Sequence, residues 1–244
     1  MSVLALQLAG PLQAWGSTAR FARRTTESAP TKSGVIGLLA AAQGLERDAD
    51  LSALAALRFG VRIDQQGTRI RDFQTAHHAD TGAAMPVSDR YYLADSVFVA
   101  ALEGADALIE KLHQALRVPQ YLPYLGRRSC PPSRPLDLGV HRDTDLEGVL
   151  TQEPWRASEW YQKRRWRELT VELPVLMDAI SDTSGALVGD TMRDQPVSFD
   201  PRHRRYALRT VHTTTVTVAN LHARRSPGER GIPAHDPTSL LEDA

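Results

Sequence analysis

Apolar and polar positions change period several times along the chain, and each change marks an element. Val3 to Leu8 alternates with Leu4, Leu6 and Leu8 on one face, the mark of a β-strand. Gly10-Pro11-Leu12-Gln13-Ala14-Trp15-Gly16 is rich in breakers and predicts a turn. After Pro30-Thr31-Lys32-Ser33 the period becomes helical, with Val35, Leu38, Leu39 and Ala42 on one stripe and Gly44 as the C′ residue. Phe59, Val61 and Ile63 alternate with Gly60, Arg62 and Asp64, giving a second strand. A third, Tyr91 to Leu102, carries Val97-Phe98-Val99. Ala105, Leu108, Ile109, Leu112 and Leu116 form the clearest helical stripe, and Leu136 to Val140 is a last short strand.

Strand, helix, strand, strand, helix, strand is the order of a ferredoxin-like, RNA-recognition-type α+β domain, predicted here over residues 1–141. Its second and third strands are separated by residues 65–90, too long for a hairpin turn and predicted to project as an arm. Residues 142–222, with strands at Val171 to Leu176 and Thr213 to Val218, predict a small β-rich subdomain. From 223 to 244, Arg, Ser, Pro, Gly and terminal acids predict a disordered tail.

Charge sharpens this outline. The formal net charge of the 244 residues is zero, which excludes generic coating of polyanions. Only Lys32, Lys111 and Lys163 are lysines, and the arginines cluster. The clusters are Arg20, Arg23 and Arg24; Arg127 and Arg128; Arg164, Arg165 and Arg167; and Arg202, Arg204, Arg205 and Arg209. Local basic patches in a neutral chain suit a defined polyanion site. Cys130 is the only cysteine, so an intramolecular disulfide and a Cys-based metal site are excluded. With no apolar run of membrane-spanning length and no signal-like start, the chain reads as soluble, cytoplasmic and without membrane contact.

Tyr124-Leu125-Gly126-Arg127-Arg128-Ser129-Cys130-Pro131-Pro132 concentrates the chemistry. Glycine lets the main chain approach a ligand, and two guanidinium forks match phosphate oxygens. Thr31-Lys32-Ser33-Gly34 is a second phosphate candidate, since free amides at a helix start favour an anion; N-capping by Thr31 or Ser33 is compatible with it. The Walker glycine frame is absent. His77-His78 could act as general acid/base with Tyr91 or Tyr92, or face solvent as ordinary loop residues. Asp143 with Asp145 and Asp48 with Asp50 lack further ligands for a metal. Trp155 to Glu168 interleaves aromatic and basic residues, which fits either nucleic-acid stacking or the packing of the second subdomain.

Three blocks carry a resemblance. Leu8 to Gly16, Pro30 to Leu39 and Tyr124 to Pro131, in this order and spacing, resemble the CasD subunits of type I-E CRISPR Cascade, members of the RAMP superfamily. The match is good over residues 3–140 and loose beyond. It implies a ferredoxin-like RAMP domain with a thumb inserted between strands 2 and 3 and a small C-terminal domain. It also implies a non-catalytic protein without cofactor or metal that holds the 5′ handle of crRNA. Such a protein caps the CasC backbone, touches the large subunit CasA and lies near target DNA in the assembled complex. Carried onto this sequence, the RNA-binding set is Gln13, Trp15, Gly16, Arg23, Arg24, Lys32, Ser33, Arg71, Gln74, His77, Tyr124, Gly126, Arg127 and Arg128. Related proteins of type I-C cleave precursor crRNA, so a metal-independent endoribonuclease using His77 or His78 is the alternative. A free-standing RNA-recognition module is a third, against which stands the missing RNP1 aromatic pattern.

Overall fold

A computed structural model describes residues 1–16, 23–180 and 188–224. Arg20 and nearly all of the expected tail, residues 225–244, lie outside them. The fold is mixed α/β around one mostly antiparallel sheet with the path β6-β1-β5-β3-β7-β9-β8. Its strands are β1 (Ser2–Gln13), β2 (Arg23–Arg24), β3 (Arg58–Gln65), β4 (Thr68–Gln74), β5 (Ser88–Gly104), β6 (Asp137–Arg142), β7 (Thr170–Asp178), β8 (Asp190–Ser198) and β9 (Arg205–Ala219). The short β2 runs parallel to β5 and β4 pairs antiparallel with it.

The alternation read in the first strand has a second half. Leu4, Leu6 and Leu8 pack on one side of the sheet with Phe59, Phe98 and Leu102, beneath α1 (Lys32–Ala42) and α3 (Asp106–Arg117). Val3 and Ala5, pointing the other way, pack with Val99, Ala101, Val175 and Val216 beneath α4 (Leu146–Gln152). A strand covered on both faces buries every residue from Ser2 to Gly10. Two short helices, α2 (Ser52–Ala55) and α5 (Glu159–Arg164), complete the fold. Thr31 caps α1 by accepting from the Gly34 amide at 3.3 Å, and Gly44 beyond its end sits at φ +75°.

Three features differ from the sequence outline. β1 does not break at Gly10 but continues to Gln13, because Leu12 and Gln13 still pair with Ala94 and Leu93 on β5. Residues 142–222 contain two helices, α4 and α5, where the apolar period is too short to read. Their strands also join the main sheet instead of forming another: Gly60, Val61 and Arg62 on β3 pair with Met177, Leu176 and Val175 on β7.

The seam between the two halves is sealed by a buried arginine. Arg62 is fully inaccessible and spends all five of its N–H donors. Two go to Asp64 at 2.7 and 3.0 Å, and three go to the carbonyls of Leu150, Glu153 and Pro154 at 2.6 to 2.8 Å. Asp64 also accepts from the Arg156 amide at 2.6 Å, and its carbonyl accepts from Trp155 Nε1 at 2.9 Å. Burial pushes the Asp64 carboxyl above its ordinary range, with the Arg62 guanidinium acting against it.

Candidate nucleic-acid interface

Gln13, at the end of β1, is completely buried and organises the turn that follows. Its amide donates to the carbonyls of Leu8 (3.1 Å) and Ser96 (2.8 Å), and its oxygen accepts from Trp15 Nε1 at 3.0 Å. Trp15 is 1% exposed, so its ring is an internal wedge and not a platform for a base. It lies so close to α1 that a Cβ on Gly34 would stand 2.7 Å from its Cε3. Glycine at position 34 is what lets the helix start pack on the indole.

The turn and the Gly126 loop do converge. The Ala14 amide donates to the Leu125 carbonyl at 3.1 Å, and the loop closes on itself through Leu125 to Cys130 (2.7 Å) and Cys130 to Arg127 (2.9 Å). Gly126 has φ +85°, and a Cβ there would fall 1.8 Å from the Ala14 oxygen. No other residue fits that approach.

The two arginines of the loop have different circumstances. Arg127 is a bracket: it donates to the carbonyls of Tyr91 (3.1 Å) and Arg24 (2.8 Å), and its guanidinium lies 4.7 Å from the centroid of the Tyr92 ring. Burial raises the Tyr92 phenol, but hydrogen bonds with Ser129 and Arg127 outweigh it and hold the group below its ordinary value. Arg128 is exposed and has no ion-pair partner among the described residues. Cys130 is fully buried, and that burial pushes its thiol up, opposite to the shift that would activate a nucleophile.

The helix start at Lys32 is a correction to the sequence-based expectation. Its anion is supplied from within: the Lys32 amide donates to Asp194 at 2.8 Å. The Lys32 ammonium, 4% exposed, binds Asp178 at 3.0 Å. Arg209 completes the group, reaching Asp178 at 2.7 Å and Asp194 at 2.6 Å. Two cations and two carboxylates from α1, β7, β8 and β9 thus neutralise one another. Burial lowers the Lys32 pKa, with Asp178 opposing. Such a buried charge group has no free cation to offer a phosphate. Ser33 is buried behind it but reaches the wall of a large neighbouring cavity.

Around these elements lies a groove of about 2010 Å³. One wall is built from Gly16, Arg24, Tyr124, Gly126, Arg127 and Arg128. Ser33, Gly34, Gly37 and Leu38 of α1 line it as well. Segment 193–207 lines it too, contributing Arg193, Phe199, Arg202, Arg205 and Tyr206. Of these, Arg202 and Arg205 belong to a basic cluster visible in the sequence but not joined there to the Gly126 loop, and Arg193 was not singled out. The available signal was Arg202, Arg204 and Arg205 between the aromatics Phe199 and Tyr206. What was missing is the pairing of β8 with β9, which carries the cluster back across α1.

Arg23 stacks over the Tyr91 ring at 5.3 Å beside this groove, at the foot of a hairpin arm formed by β4 and the start of β5. Arg71 lies on the arm and pairs with Asp89 at 2.9 Å. Gln74 stands in the last ladder row, opposite Ser88. His77 lies beyond it, bridged to Ala84, with Nδ1 3.0 Å from the Gly82 carbonyl. Tyr91 pairs with Arg71, several rows nearer the base, or roughly 20 Å along the strand from His77. The histidine pair and the tyrosines are therefore not brought together. Arg71, Gln74 and His77 do not line the groove.

The Trp155 to Glu168 segment divides between its two readings. Trp155 is buried and packs edge-on against Tyr161 at 6.0 Å, whereas Trp160 and Trp166 are 51% and 38% exposed.

The sequence pattern of the family described as "CRISPR-associated protein (Cas_Cas5)" matches residues 3–212. A relative in Escherichia coli (strain K12), "CRISPR system Cascade subunit CasD", is 39% identical over 175 residues, which is 63% of this chain and 78% of that protein. A solved structure described as "CRISPR RNA-guided surveillance complex" superposes with a TM-score of 0.72 at 31% identity, covering 93% of this chain and 95% of the other. Another, "Crystal structure of Cas protein", gives 0.68 at 35% identity over 92% and 99%. Fold, sequence pattern and identity agree, and the chain belongs to the Cas5 family of CRISPR-associated proteins.

Proposed function

We propose that this protein is a crRNA-binding subunit of a type I-E Cascade complex, holding the 5′ handle of the crRNA in the groove beside the Gly126 loop. The observation that carries the proposal is the rigid loop itself. Main-chain hydrogen bonds and Arg127 fix it against the 14–16 turn, and Arg128 projects from it without a carboxylate partner among the described residues. A single strand held there would meet fixed guanidinium groups along its phosphates, the recognition mode of sequence-tolerant RNA sites.

The finer architectural reading fits the same role. The path β6-β1-β5-β3 supports a ferredoxin-like RAMP unit, and the β4–β5 hairpin supports a thumb placed to cross the RNA where handle meets guide. The protein would cap the CasC backbone next to CasA, in the cytoplasm, with target DNA nearby in the assembled complex. Among the described residues no helix is long and apolar enough to cross a membrane. The role is non-catalytic: His77 and His78 sit at an exposed arm tip, away from Tyr91 and from the groove.

The test is Arg128→Ala in a complex assembled on precursor crRNA and purified in stringent salt. Handle retention falls while the variant protein melts normally. Full crRNA retention would sink the assignment of the loop. Incubation of the protein with repeat RNA in EDTA leaves the RNA intact; cleavage lost in His77→Ala would return the endoribonuclease.

A further inference from the structure

We propose that the β8–β9 segment is a second RNA-binding wall, so that the groove is a two-sided clamp for a single strand and not a one-sided shelf. This rests on the RNA-binding reading above and extends it to residues 193–207.

The segment is built like a wall. β8 and β9 pair antiparallel, from Asp190 opposite Val211 to Ser198 opposite Arg205. The register shifts between Met192 and Gln195, and Arg193 lies within that irregular stretch, exposed. Phe199 and Tyr206 pack at 6.4 Å between centroids and seat the segment on α1, where a Cβ on Gly37 would meet Phe199 at 3.6 Å. Beneath them the Lys32, Asp178, Asp194 and Arg209 group bonds α1 directly to β7, β8 and β9. The position of the second wall relative to the helix is thus set by buried ion pairs and aromatic packing.

Its charge is left open. Arg193 and Arg205 line the groove, are exposed, and have no ion-pair partner among the described residues. Arg202 lines the groove too but also borders a depression with Glu46, Arg47, Asp48 and Asp200, and with Glu46 reaching the groove as well it is the less exclusive cation. The neighbouring acids Asp194 and Asp178 are fully committed to Arg209 and Lys32, so they do not cancel these guanidinium groups. On the first wall Arg24 and Arg128 likewise lack acidic partners among the described residues. Two rows of unneutralised arginine, carried by segments far apart in sequence, line one cavity in a protein of zero formal charge. A polyanion strand inserted between them is contacted from both sides, whereas a flat acidic protein surface reaches only one wall.

The experiment titrates full-length protein with a fluorescein-labelled short oligouridine over a range of salt concentrations. Four proteins are compared: wild type, Arg128→Ala, Arg193→Ala with Arg205→Ala, and Arg193→Lys with Arg205→Lys. Removing two phosphate contacts lowers the salt slope by about 1.4, at roughly 0.7 per phosphate on a single strand. Arg128→Ala lowers it by about half of that. The double Arg→Lys variant keeps the slope, because the charges remain. If wild type and Arg128→Ala differ but the Arg193/Arg205 double variant matches wild type, the second wall is refuted and the first stands. If wild type itself does not bind the oligouridine, the RNA reading fails for both. Loss of binding to polyglutamate in the double variant, with oligouridine affinity and slope unchanged, assigns the segment to an acidic protein and overturns the proposal.

Discussion

Arg62 and Arg128 are the same side chain in two regions that treat it in opposite ways. Under α4, Arg62 is stripped of water and every donor has an acceptor, so its charge is consumed in joining β3 to the loop after α4. At the groove mouth, Arg128 is exposed on a loop whose own hydrogen bonds do not involve its guanidinium. Arg127 stands between the two: one step along the chain from Arg128, it is spent on carbonyls and on the Tyr92 ring. The lesson is that an arginine contributes to folding in proportion to the acceptors the fold aims at it, and remains available to a ligand only where the fold aims none. Clustering along the sequence does not separate these cases.

The largest break in that contrast is Arg62→Ala. Removing one member of a buried pair leaves Asp64 with the Arg156 amide alone and strips the Arg62 donors from three carbonyls, at a cost of about 3–5 kcal/mol. A urea denaturation curve is expected to show that loss, and a change below about 1 kcal/mol would mean the seam is held by apolar packing alone.

Next in size is Gly126→Ala. The substituted residue must hold a left-handed φ and push against the Ala14 carbonyl, which together cost about 2–3 kcal/mol. Release of the loop would also lower crRNA retention. An unchanged melting temperature would contradict the close approach of the two turns.

Arg127→Ala and Arg128→Ala sharpen the comparison at adjacent positions. The first removes hydrogen bonds to three carbonyls and a cation–π contact, so thermal stability falls by about 1–3 kcal/mol and RNA affinity falls with it. The second leaves the melting temperature in place and lowers RNA affinity alone. Equal thermal shifts for the two would mean that Arg128 is as much a structural bracket as Arg127.

The smallest effect concerns reactivity. Because burial raises the Cys130 thiol, the folded protein is expected to resist iodoacetamide at neutral pH and to be alkylated once denatured, as read by mass spectrometry. Rapid modification of the native protein would place Cys130 at the surface.

Much of the frame was legible because it depends on local period. The strands at 3–8, 59–63, 91–102 and 136–140 and the helices after Thr31 and Ala105 are all present, and the helices turn their apolar stripes onto the sheet. The short helices α4 and α5 escaped because one or two turns give too few positions to establish a period. Among the candidate site residues, Gly16, Arg24, Ser33, Tyr124, Gly126, Arg127 and Arg128 share one groove. Gln13, Trp15 and Lys32 were named for chemistry that the fold uses internally: an indole wedge, its amide partner and half of a buried ion pair.

By itself the sequence determined what depends on neighbours a few residues away: the strand and helix periods and the capping of α1 by Thr31 or Ser33, whereas the choice of Thr31 and the close approach of Gly126 to Ala14 came with the fold. Only the tertiary structure decided which charges are neutralised, because an ion pair such as Lys32 with Asp178 joins positions 146 residues apart. It likewise decided that the 193–207 segment and the Gly126 loop line one groove, since strand pairing across one sheet, and no local pattern, carries the segment there. Long-range pairing is chosen by the burial and hydrogen-bond satisfaction of the whole chain, and that balance has no signature in a short window of residues.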